Sequence, residues 1–518
     1  MRSGNYFIVH PDRICISKLF LSLIFQRRLR SDVLESPDSI SSEVNENWRI
    51  KLSLVLIKLI KSVAVPLAIL GTWIEFLLNL LSQNGGVLKT LFGLLNGEGR
   101  DIVIPRRGSE TFLSLIGLIE HRKNLYDGGI TGNHLISSGV IDSTIKPGNR
   151  SYADLCVMAS AVAYENKLVI RNRVTEHWKM HFVEFFDFWN DHLQKKSTEA
   201  FIFCDKEVDA QLIVIAFRGT EPFNADDWET DVDFSWYQYS QFGFKVHLGF
   251  LEALGLANRS AKSDIFDNQT NSAFTSCVPP FDIDKEDPEK PLAYSTLRKK
   301  LKELLQVHRN AKFMVTGHSL GGALAVLFPA MLFMHKEETL LEKLFAVYTF
   351  GQPRVGDEAF AKFMNKNLND PVPRYFRIVY CNDIVPRVPY DDGIFLYKHF
   401  GVCLYYNSCY HEKNLPEEPN RNSSLLYFIP IRINAVWELV QSLLLHYVKG
   451  REFKETKLSI FCRILGLLVP GVSAHIPVNY INAIRLGPAT LNPTMSTTPH
   501  SKAMVTKDRE DKALSHHG

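Results

Sequence analysis

The sequence predicts an α/β fold with a mostly parallel central sheet, and three observations around one serine predict it. Leucines recur at helical spacing among Lys and Arg over residues 297–305, and an apolar run at 313–316 follows them as a strand would. After the serine, residues 322–335 are almost wholly apolar, as a buried helix is. Further along the chain, strand-like runs alternate with a helical pattern, at 345–350, 357–368 and 374–380. Such alternation is typical of a parallel sheet with helices on its faces.

The strand-like run at 313–316 ends in a Gly317-x-Ser319-x-Gly321 pentapeptide. A strand that turns sharply into a helix presents a nucleophilic serine in this way, and glycine at both flanking positions lets strand and helix approach. We expect the turn to lift the Ser319 hydroxyl above the sheet and expose it. An ordinary Ser/Gly loop is the alternative. Helix, strand, elbow and helix in this order are typical of the α/β-hydrolase fold.

Length and composition exclude several classes of protein. With 518 residues the chain can bury a large core, and we expect one large catalytic domain with appendages. A formal net charge of +3, without basic stretches among aromatics, argues against nucleic acid as a partner. The eight cysteines form no C-x-x-C pair and no cluster with histidine, which predicts reduced thiols and no zinc site. The apolar patch at 16–25 lacks the features of a cleaved leader.

Residues 52–81 form the longest apolar tract of the chain, broken by three charged residues. A transmembrane helix needs about twenty apolar residues with few charges. The uncharged centre at 62–74 is shorter and contains Pro66 and Gly71. We therefore predict an apolar, helical, membrane-associating region at 1–100, with a kinked or re-entrant segment in one leaflet. A helical hairpin packed on the catalytic domain is the alternative.

The remaining chain divides by composition. We predict a connecting segment at 101–150, an α/β-hydrolase domain at 151–487 and a disordered tail at 488–518, which is poor in residues to bury. The domain contains an aperiodic insertion loop at 256–291. It begins with two predicted helices and a strand hairpin, at 152–164, 178–193, 200–204 and 211–217.

A serine hydrolase of this order needs a carboxylate and then a histidine after the nucleophile. Asp383 lies in a loop after the predicted strand 374–380, where α/β sheets carry functional groups. A turn-forming role for Asp383 is the alternative. Two histidines follow it, His399 in an aromatic, strand-like stretch and His475 in a loop between prolines. Spacing alone does not choose between them.

The oxyanion of the reaction needs two backbone donors. The first is expected at Leu320, directly after the nucleophile, and the second at Thr220, which ends the run 213–220. An ordinary strand end with a salt-bridged Arg218 is the alternative. The amphipathic stretch 221–239 is a possible lid over the site, and a packed surface helix is equally compatible with it. The possible lid residues are Trp228, Phe234 and Trp236.

Several ordered motifs between about 150 and 487 resemble the class 3 (fungal-type) lipase family. The apolar N-terminal region, the long insertion and the Ala474–Pro477 context further resemble the plant oil-body (lipid-droplet) triacylglycerol lipases within that family. The lid resemblance at 221–239 is looser. The motifs are Arg218-Gly219-Thr220, Asp227-Trp228 with Asp231, residues 246–250, 317–322 and 351–356, and Asn382-Asp383-Ile384-Val385-Pro386-Arg387.

The resemblance implies a catalytic triad of Ser319, Asp383 and His475, with His399 near the site but not the base. It implies a serine ester hydrolase without a metal or other cofactor, whose acylglycerol substrates lie in a lipid-droplet or membrane surface. The lipid-droplet surface is the implied location, with the endoplasmic reticulum membrane as a second one. A phospholipase A1 or galactolipase would use the same triad. A droplet tethering protein with an incidental hydrolase fold is the alternative of another class.

Overall fold

The structure, a computed structural model, describes residues 6–25, 27–29, 32–36, 48–95, 102–126, 146–259, 287–391, 397–422 and 427–487. The predicted tail at 488–518, most of the predicted loop at 256–291 and part of the connecting segment at 101–150 lie outside these ranges.

Strands and helices alternate through most of the described chain. The strands are β1 Tyr6–Val9, β2 Leu34–Glu35, β3 His181–Asn190, β4 Lys195–Cys204, β5 Leu212–Phe217, β6 Trp236–Tyr239, β7 Phe244–His247, β8 Lys312–His318, β9 Leu344–Phe350, β10 Gly356–Asp357, β11 Tyr375–Tyr380, β12 Tyr397–Lys398, β13 Cys403–Tyr406 and β14 Glu412–Leu415. The α-helices are α1 Ile16–Ile24, α2 Trp48–Gln83, α3 Val87–Leu95, α4 Leu115–Ile119, α5 Arg150–Val162, α6 Lys167–Asn172, α7 Ala225–Val232, α8 Leu248–Ala253, α9 Ala293–Val307, α10 Leu320–Met334, α11 Glu338–Leu341, α12 Glu358–Asn369, α13 Phe428–Lys449, α14 Lys457–Gly466, α15 Pro470–Ser473 and α16 Pro477–Leu486.

The main sheet has eight strands in the order β14-β13-β11-β9-β8-β5-β4-β3. Its middle is parallel from β5 to β13, and antiparallel strands close both edges. The prediction of an α/β fold with a mostly parallel centre is confirmed as a mixed sheet of this type. Phe217 at the end of β5 lies opposite Gly317 in β8, so the loops that follow both strands meet at one edge.

Two hydrophobic clusters hold the sheet between helices. Alternate residues of β5 face opposite clusters: Ile213 and Ile215 pack with α9 and α10, while Val214 and Ala216 pack with α5 and α16. A strand buried on both faces needs an unbroken apolar run, which β5 has. Helix α10 is buried on nearly all sides, as its almost wholly apolar sequence predicts.

One predicted helix is wrong. Residues 178–193 were expected to be helical, and the structure instead forms strand β3 over His181–Asn190, paired with β4 in an antiparallel ladder. Aromatic and β-branched side chains favour a pleated, half-buried surface, and β3 consists largely of them. Phe186 and Phe188 stack with ring centroids 5.4 Å apart. The aromatic content of this segment favours a strand over the predicted helix.

A second sheet of very short strands has the order β12-β10-β7-β6-β1-β2. Strand β1 near the N-terminus pairs with β6, so Phe7 lies opposite Trp236. Both side chains are buried in a cluster that includes Leu54 of α2. Part of the predicted N-terminal region is thereby joined to the rest of the chain through a shared sheet, which the sequence did not indicate.

Helix α2 contains the long apolar tract. It runs unbroken for 36 residues through Pro66, and a turn at Gly85 and Gly86, both with positive φ, separates it from α3. Its first turns are buried against the second sheet, whereas Val65 and Trp73 further along are exposed. By length and composition, α2 and α13 are the two helices of the described chain that are long and apolar enough to cross a membrane.

Candidate active site

The turn between β8 and α10 holds Ser319 in a strained backbone conformation, with φ 58° and ψ −131°. Residues with a Cβ rarely adopt such angles. A Cβ at Gly317 would lie 2.1 Å from the Gly321 carbonyl oxygen, and a Cβ at Gly321 would lie 2.4 Å from that of Phe217. Strand, helix and the end of β5 therefore meet at this point because both positions are glycine.

Ser319 and the two predicted oxyanion residues are largely buried. Ser319 is 3% exposed, and Leu320 and Thr220 are 7% and 9% exposed. The expectation of an exposed serine was wrong, because elbow geometry fixes the direction of the side chain but not what packs above it.

Asp383 follows β11, and its fully buried carboxylate accepts hydrogen bonds on both oxygens. His475 Nδ1 donates to Oδ2 over 2.7 Å, and the backbone N–H of Val385 donates to Oδ1 over 2.9 Å. The Tyr480 hydroxyl also donates to Oδ2. The Val385 bond closes the turn that was the alternative role for Asp383, so this residue both shapes its loop and holds the imidazole.

The tautomer of His475 follows from its partner. With the proton on Nδ1, where Asp383 accepts it, Nε2 carries a lone pair. Nε2 is buried and makes no hydrogen bond with any residue that the structure describes. This is the state that a general base needs before it takes a proton from a serine.

His399, the competing histidine, lies in a different environment. Its Nε2 donates to the Pro386 carbonyl over 2.8 Å and lies 3.8 Å from Glu418 Oε1. Burial, reinforced by the nearby Arg377, holds the pKa of His399 well below its usual range. His399 is therefore a neutral residue of the core that ties its strand to the loop after Asp383.

His318, the residue before the serine, links the elbow to His475. Its Nε2 donates to the His475 carbonyl over 2.8 Å, and the Tyr164 hydroxyl donates to its Nδ1 over 2.9 Å. The two histidine rings lie 4.4 Å apart. Burial, and then the charge of a protonated His475, lower the pKa of His318 well below its usual range, so it stays neutral. These two hydrogen bonds hold the backbone at His475 next to the end of strand β8.

Gly351 lies in contact with both His475 and Asp383. The backbone N–H of Ser319 donates to the Phe350 carbonyl over 2.9 Å, and the next residue, Gly351, has φ +61°. A Cβ at Gly351 would lie 2.8 Å from His475 Cε1 and 2.9 Å from Asp383 Oδ2. Only glycine lets the backbone beside the serine touch the histidine and the carboxylate together.

The loop after β5 lies directly against the elbow. A Cβ at Gly219 would lie 2.1 Å from the Tyr164 hydroxyl and 2.4 Å from the His318 carbonyl oxygen. Thr220 and Leu320, the two predicted oxyanion residues, therefore belong to adjoining turns. Backbone donors on adjoining turns can converge on one oxygen, as an oxyanion hole requires.

Ion pairs fix the conformation of that loop. The Arg218 guanidinium lies 2.8 Å from Glu199, 3.1 Å from Glu221 and 3.8 Å from Asp227. The backbone N–H of Glu221 donates to Asp227 over 3.0 Å. Burial raises the pKa of Asp227 to about 6 although Arg218 opposes this. The salt-bridged Arg218 of the alternative interpretation is thus present, and it holds the same loop in which Thr220 lies.

The possible lid residues occupy two elements. Trp228 lies in α7, where its indole N–H donates to the Pro222 carbonyl over 3.1 Å. Phe234 and Trp236 are buried beside or within β6, between neighbouring strands of the second sheet. A movable cover at 221–239 stays a prediction. Because Trp236 is held in strand β6 by pairing with β1 and β7, we expect α7 and the residues before it to be the moving part.

A cavity of about 450 Å³ opens next to the segment after Thr220, and the residues that line it do not include Ser319, Asp383 or His475. Its wall includes Tyr164, residues 221–226 and the middle of α2, with both apolar and charged side chains. A Cβ at Gly71 of α2 would lie 2.5 Å from Phe223, so the helix lies directly on the segment after Thr220. No group of histidine, cysteine, aspartate or glutamate suited to a metal ion occurs among the residues described.

Three residues of this site were not found from the sequence: Tyr480, His318 and Gly351. Tyr480 reaches Asp383 only because α16 packs beside β11, a contact without a local signal. His318 and Gly351 lie within motifs that the resemblance had pointed out, so the motifs were the available signal. Their roles depend on distances between segments that the sequence does not contain.

Comparison with known proteins places the chain among lipases. The family model described as lipase (class 3) matches residues 214–393. The chain is 46% identical over 509 residues to a triacylglycerol lipase OBL1 of Nicotiana tabacum, covering 90% of this chain and 88% of that protein. It is 45% identical over 508 residues to a triacylglycerol lipase OBL1 of Arabidopsis thaliana, covering 94% and 95%. The solved Rhizomucor miehei lipase propeptide complex matches with a TM-score of 0.37 and 24% identity, over 53% of this chain and 75% of that one.

Proposed function

The chain belongs to the class 3 lipase family, and from this premise we propose that it is a triacylglycerol lipase of lipid-droplet surfaces that works through Ser319, His475 and Asp383. That it is a serine ester hydrolase follows from its relatives. The observation that carries the substrate class is its similarity, over most of both chains, to two plant proteins named triacylglycerol lipases.

The geometry supports an acyl-enzyme mechanism. Ser319 Oγ attacks the ester carbonyl carbon while His475 Nε2 takes its proton, and the carbonyl π electrons move to the oxygen. The backbone N–H groups of Leu320 and Thr220 stabilise that oxyanion. As the tetrahedral intermediate collapses, the ester C–O bond breaks, and His475 returns the proton to the leaving alcohol. Water then attacks the acyl-serine in the same way, which releases the fatty acid and restores Ser319.

Asp383 contributes by orientation. Its 2.7 Å bond to Nδ1 keeps the His475 lone pair on Nε2 and stabilises the imidazolium that forms when the serine proton moves. Tyr480 and the backbone N–H of Val385 hold the carboxylate in that position.

Substrate entry requires movement near α7. Ser319 is buried, and a cavity that Ser319 itself does not line is walled by residues 221–226 and by α2. We propose that 221–232 shifts at a lipid surface, so that an acyl chain enters through this cavity. If so, hydrolysis of a short ester should rise sharply above its solubility limit, whereas smooth saturation through that limit would contradict an interfacial opening.

The exposed part of α2 supports a location at lipid. Ile69, Trp73 and Leu77 are all more than half exposed, and such a surface is stabilised in acyl chains rather than in water. We propose that this part of the region 1–100 lies in the monolayer of a droplet.

The substrate class is tested with the purified chain on separate emulsions of triolein, phosphatidylcholine and galactolipid. Our proposal predicts release of fatty acid fastest from triolein. Preference for either polar lipid would assign a phospholipase A1 or galactolipase. A chain that binds droplets but hydrolyses none of the three would be a tethering protein.

The location is tested by expressing the fluorescently tagged full chain in cells that contain droplets. We expect the signal to ring the droplets. A signal confined to the endoplasmic reticulum or the cytosol would contradict the proposed location while leaving the chemistry untouched.

A further inference from the structure

The helices α13, α14 and α15, which we call the C-terminal helical set (residues 428–473), have an inverted distribution of polarity. The outer side of α13 exposes a stripe of large apolar side chains that includes Ile433, Val440, Leu444 and Val448. Its inner side buries Glu438 and Ser442. A helix on a water-exposed surface normally turns its polar residues outward.

The second helix repeats this inversion. Helix α14 exposes Phe461 and Leu465, while its Arg463 is buried. Arg463 donates to Glu455 over 2.6 Å and to Asn479 over 2.8 Å, and lies 3.9 Å from Glu438. Arg463 is thus paired inside the protein, while the large apolar side chains of both helices are exposed. An apolar environment outside the set accounts for both facts.

The set is joined to the proposed catalytic residues. The backbone N–H of Ile384, next to Asp383, donates to the Gly471 carbonyl over 3.2 Å. The His475 backbone N–H donates to the Val472 carbonyl over 3.1 Å. Any surface that contacts the exposed stripe therefore lies beside the loops that carry the acid and the base.

We infer that the C-terminal helical set is a second lipid-contacting surface of this chain, lying flat in the interface beside the active site. It does not span, because Ala435, Glu438 and Leu445 keep one side of α13 buried on the protein through the middle of the helix. The chain between and flanking the two helices carries exposed cations, and such a position suits anionic headgroups. These cations are Lys449, Arg451, Lys454 and Lys457.

This inference rests on the proposed function, since it assumes that the substrate comes from a lipid phase. Together with α2, which contacts Phe223 in the loop after β5, the set would give the entrance a second lipid-bound helix. A lipid molecule could then pass from the monolayer to Ser319 without crossing water.

The test is partition of the full chain onto a triolein emulsion coated with phosphatidylcholine. We compare the double variant Leu444→Asp/Val448→Asp with the matched control Val208→Asp/Val307→Asp. Leu444 and Val448 are 53% and 75% exposed, and the control residues are 71% and 72% exposed. The control residues precede β5 and β8, at the sheet edge opposite the elbow.

We expect the Leu444→Asp/Val448→Asp variant to partition at least about tenfold more weakly, because large apolar side chains leave hydrocarbon. When two parts of a protein contact the same lipid surface at distant points, their binding free energies add. Binding through α2 therefore does not hide the tenfold weakening caused by the variant. The partition of the control variant should stay within about twofold of the wild-type value. Both variants should hydrolyse a soluble short-chain ester at the wild-type rate, which separates this result from a failure of the proposed chemistry.

Further measurements test the role of the exposed cations and whether the exposed apolar surface binds lipid or a second copy of the chain. Lys454→Glu/Lys457→Glu should weaken partition only when the coat contains phosphatidylserine, and added salt should remove the difference. If Leu444→Asp/Val448→Asp binds the emulsion as the wild type does, the inference is wrong. Conversion of a wild-type dimer to a monomer by that variant, with unchanged partition, would assign the surface to a second copy of the chain. If the variant melts early, Leu468→Ser/Val469→Ser, in the loop before α15, repeats the test.

Discussion

At the scale of residues, the site depends on positions where a single methyl group does not fit. Gly351 lies between the serine's strand and the His475–Asp383 pair, and Gly219 lies between Tyr164 and the elbow. Because φ at Gly351 is +61°, a side chain there is strained even before it meets a neighbour.

We predict that Gly351→Ala lowers kcat for a soluble ester by at least about 10²-fold, since its Cβ displaces His475 from Asp383. The measurement is steady-state hydrolysis together with thermal unfolding. Gly243→Ala is the control, because that glycine also has positive φ, at +73°, but meets nothing within 4 Å. Equal losses of activity in the two variants would show that strain alone, and not the contact, is responsible.

The two histidines should differ in their effect on rate and on stability. His475→Ala should lower kcat by about 10³-fold or more with a small change in unfolding free energy, because it removes the base. His399→Ala should mainly lower the unfolding free energy, because it removes a buried donor to Pro386. Hydrolysis and urea unfolding of both variants provide the comparison, and the reverse ranking would reassign the base.

Local signals account for what the sequence predicted of this site. Ser319, Asp383 and the glycines of the elbow lie in short contiguous motifs, whereas the choice between His399 and His475 needed resemblance to a family. The bond from Tyr480 to Asp383 joins residues 97 apart in sequence, and nothing local indicates it. Burial of Ser319 was missed for the same reason.

At the scale of elements, long segments were predicted well except for residues 178–193, and short strands were not. Helices α5, α9, α10 and α12 and strands β5, β8, β9 and β11 lie where the periodicity predicted them. The second sheet was missed because its strands have two to four residues each and come from distant parts of the chain. Pairing, and not propensity, creates such strands.

Glu438 of α13 faces Tyr380 at the end of β11, and its ionisation makes the unfolding free energy depend on pH. Burial is the main reason that the pKa of Glu438 is raised to about 7, although Arg463 opposes it; Tyr380, Cys381 and Glu455 also face the group. Between an unfolded pKa near 4.5 and about 7, the native protein binds more protons than the unfolded chain. The unfolding free energy therefore falls as pH rises through this window.

We predict that Glu438→Gln removes this dependence. Relative to the wild type, the variant should gain roughly 3 kcal/mol of unfolding free energy between pH 4.5 and pH 8, since each pKa unit is worth about 1.4 kcal/mol. Urea unfolding at both pH values measures it. Glu338→Gln, an exposed carboxylate on α11, is the control and should follow the wild type. A constant difference between Glu438→Gln and the wild type across this range would contradict the raised pKa.

At the scale of the whole molecule, the predicted N-terminal region has two physical roles. Its strand β1 and the first turns of α2 belong to a buried cluster with Trp236, while the later turns of α2 are exposed and apolar. Deletion of residues 1–100 would remove both parts and expose that cluster. Loss of activity in such a truncation would therefore say little about targeting to lipid.

Point substitutions separate the two roles. We predict that Ile69→Ser/Trp73→Ser/Leu77→Ser leaves hydrolysis of a soluble ester within about twofold and lowers partition onto droplets by at least about tenfold. The control Val208→Ser/Val307→Ser/Val372→Ser replaces equally exposed apolar residues elsewhere and should do neither. Droplet flotation followed by quantification of the chain in each fraction is the measurement. Unchanged flotation of the α2 variant would assign targeting to another surface.

The central claim is that Ser319 is the nucleophile of a lipase, and covalent labelling tests it most directly. The full chain is treated with a long-chain alkyl fluorophosphonate, the labelled residue is located by mass spectrometry, and triolein hydrolysis is followed in parallel. We predict one label per chain, on Ser319, with activity lost in proportion to labelling, and neither label nor activity in a folded Ser319→Ala variant. Labelling at another residue, or triolein hydrolysis by Ser319→Ala at more than about a hundredth of the wild-type rate, would contradict the account.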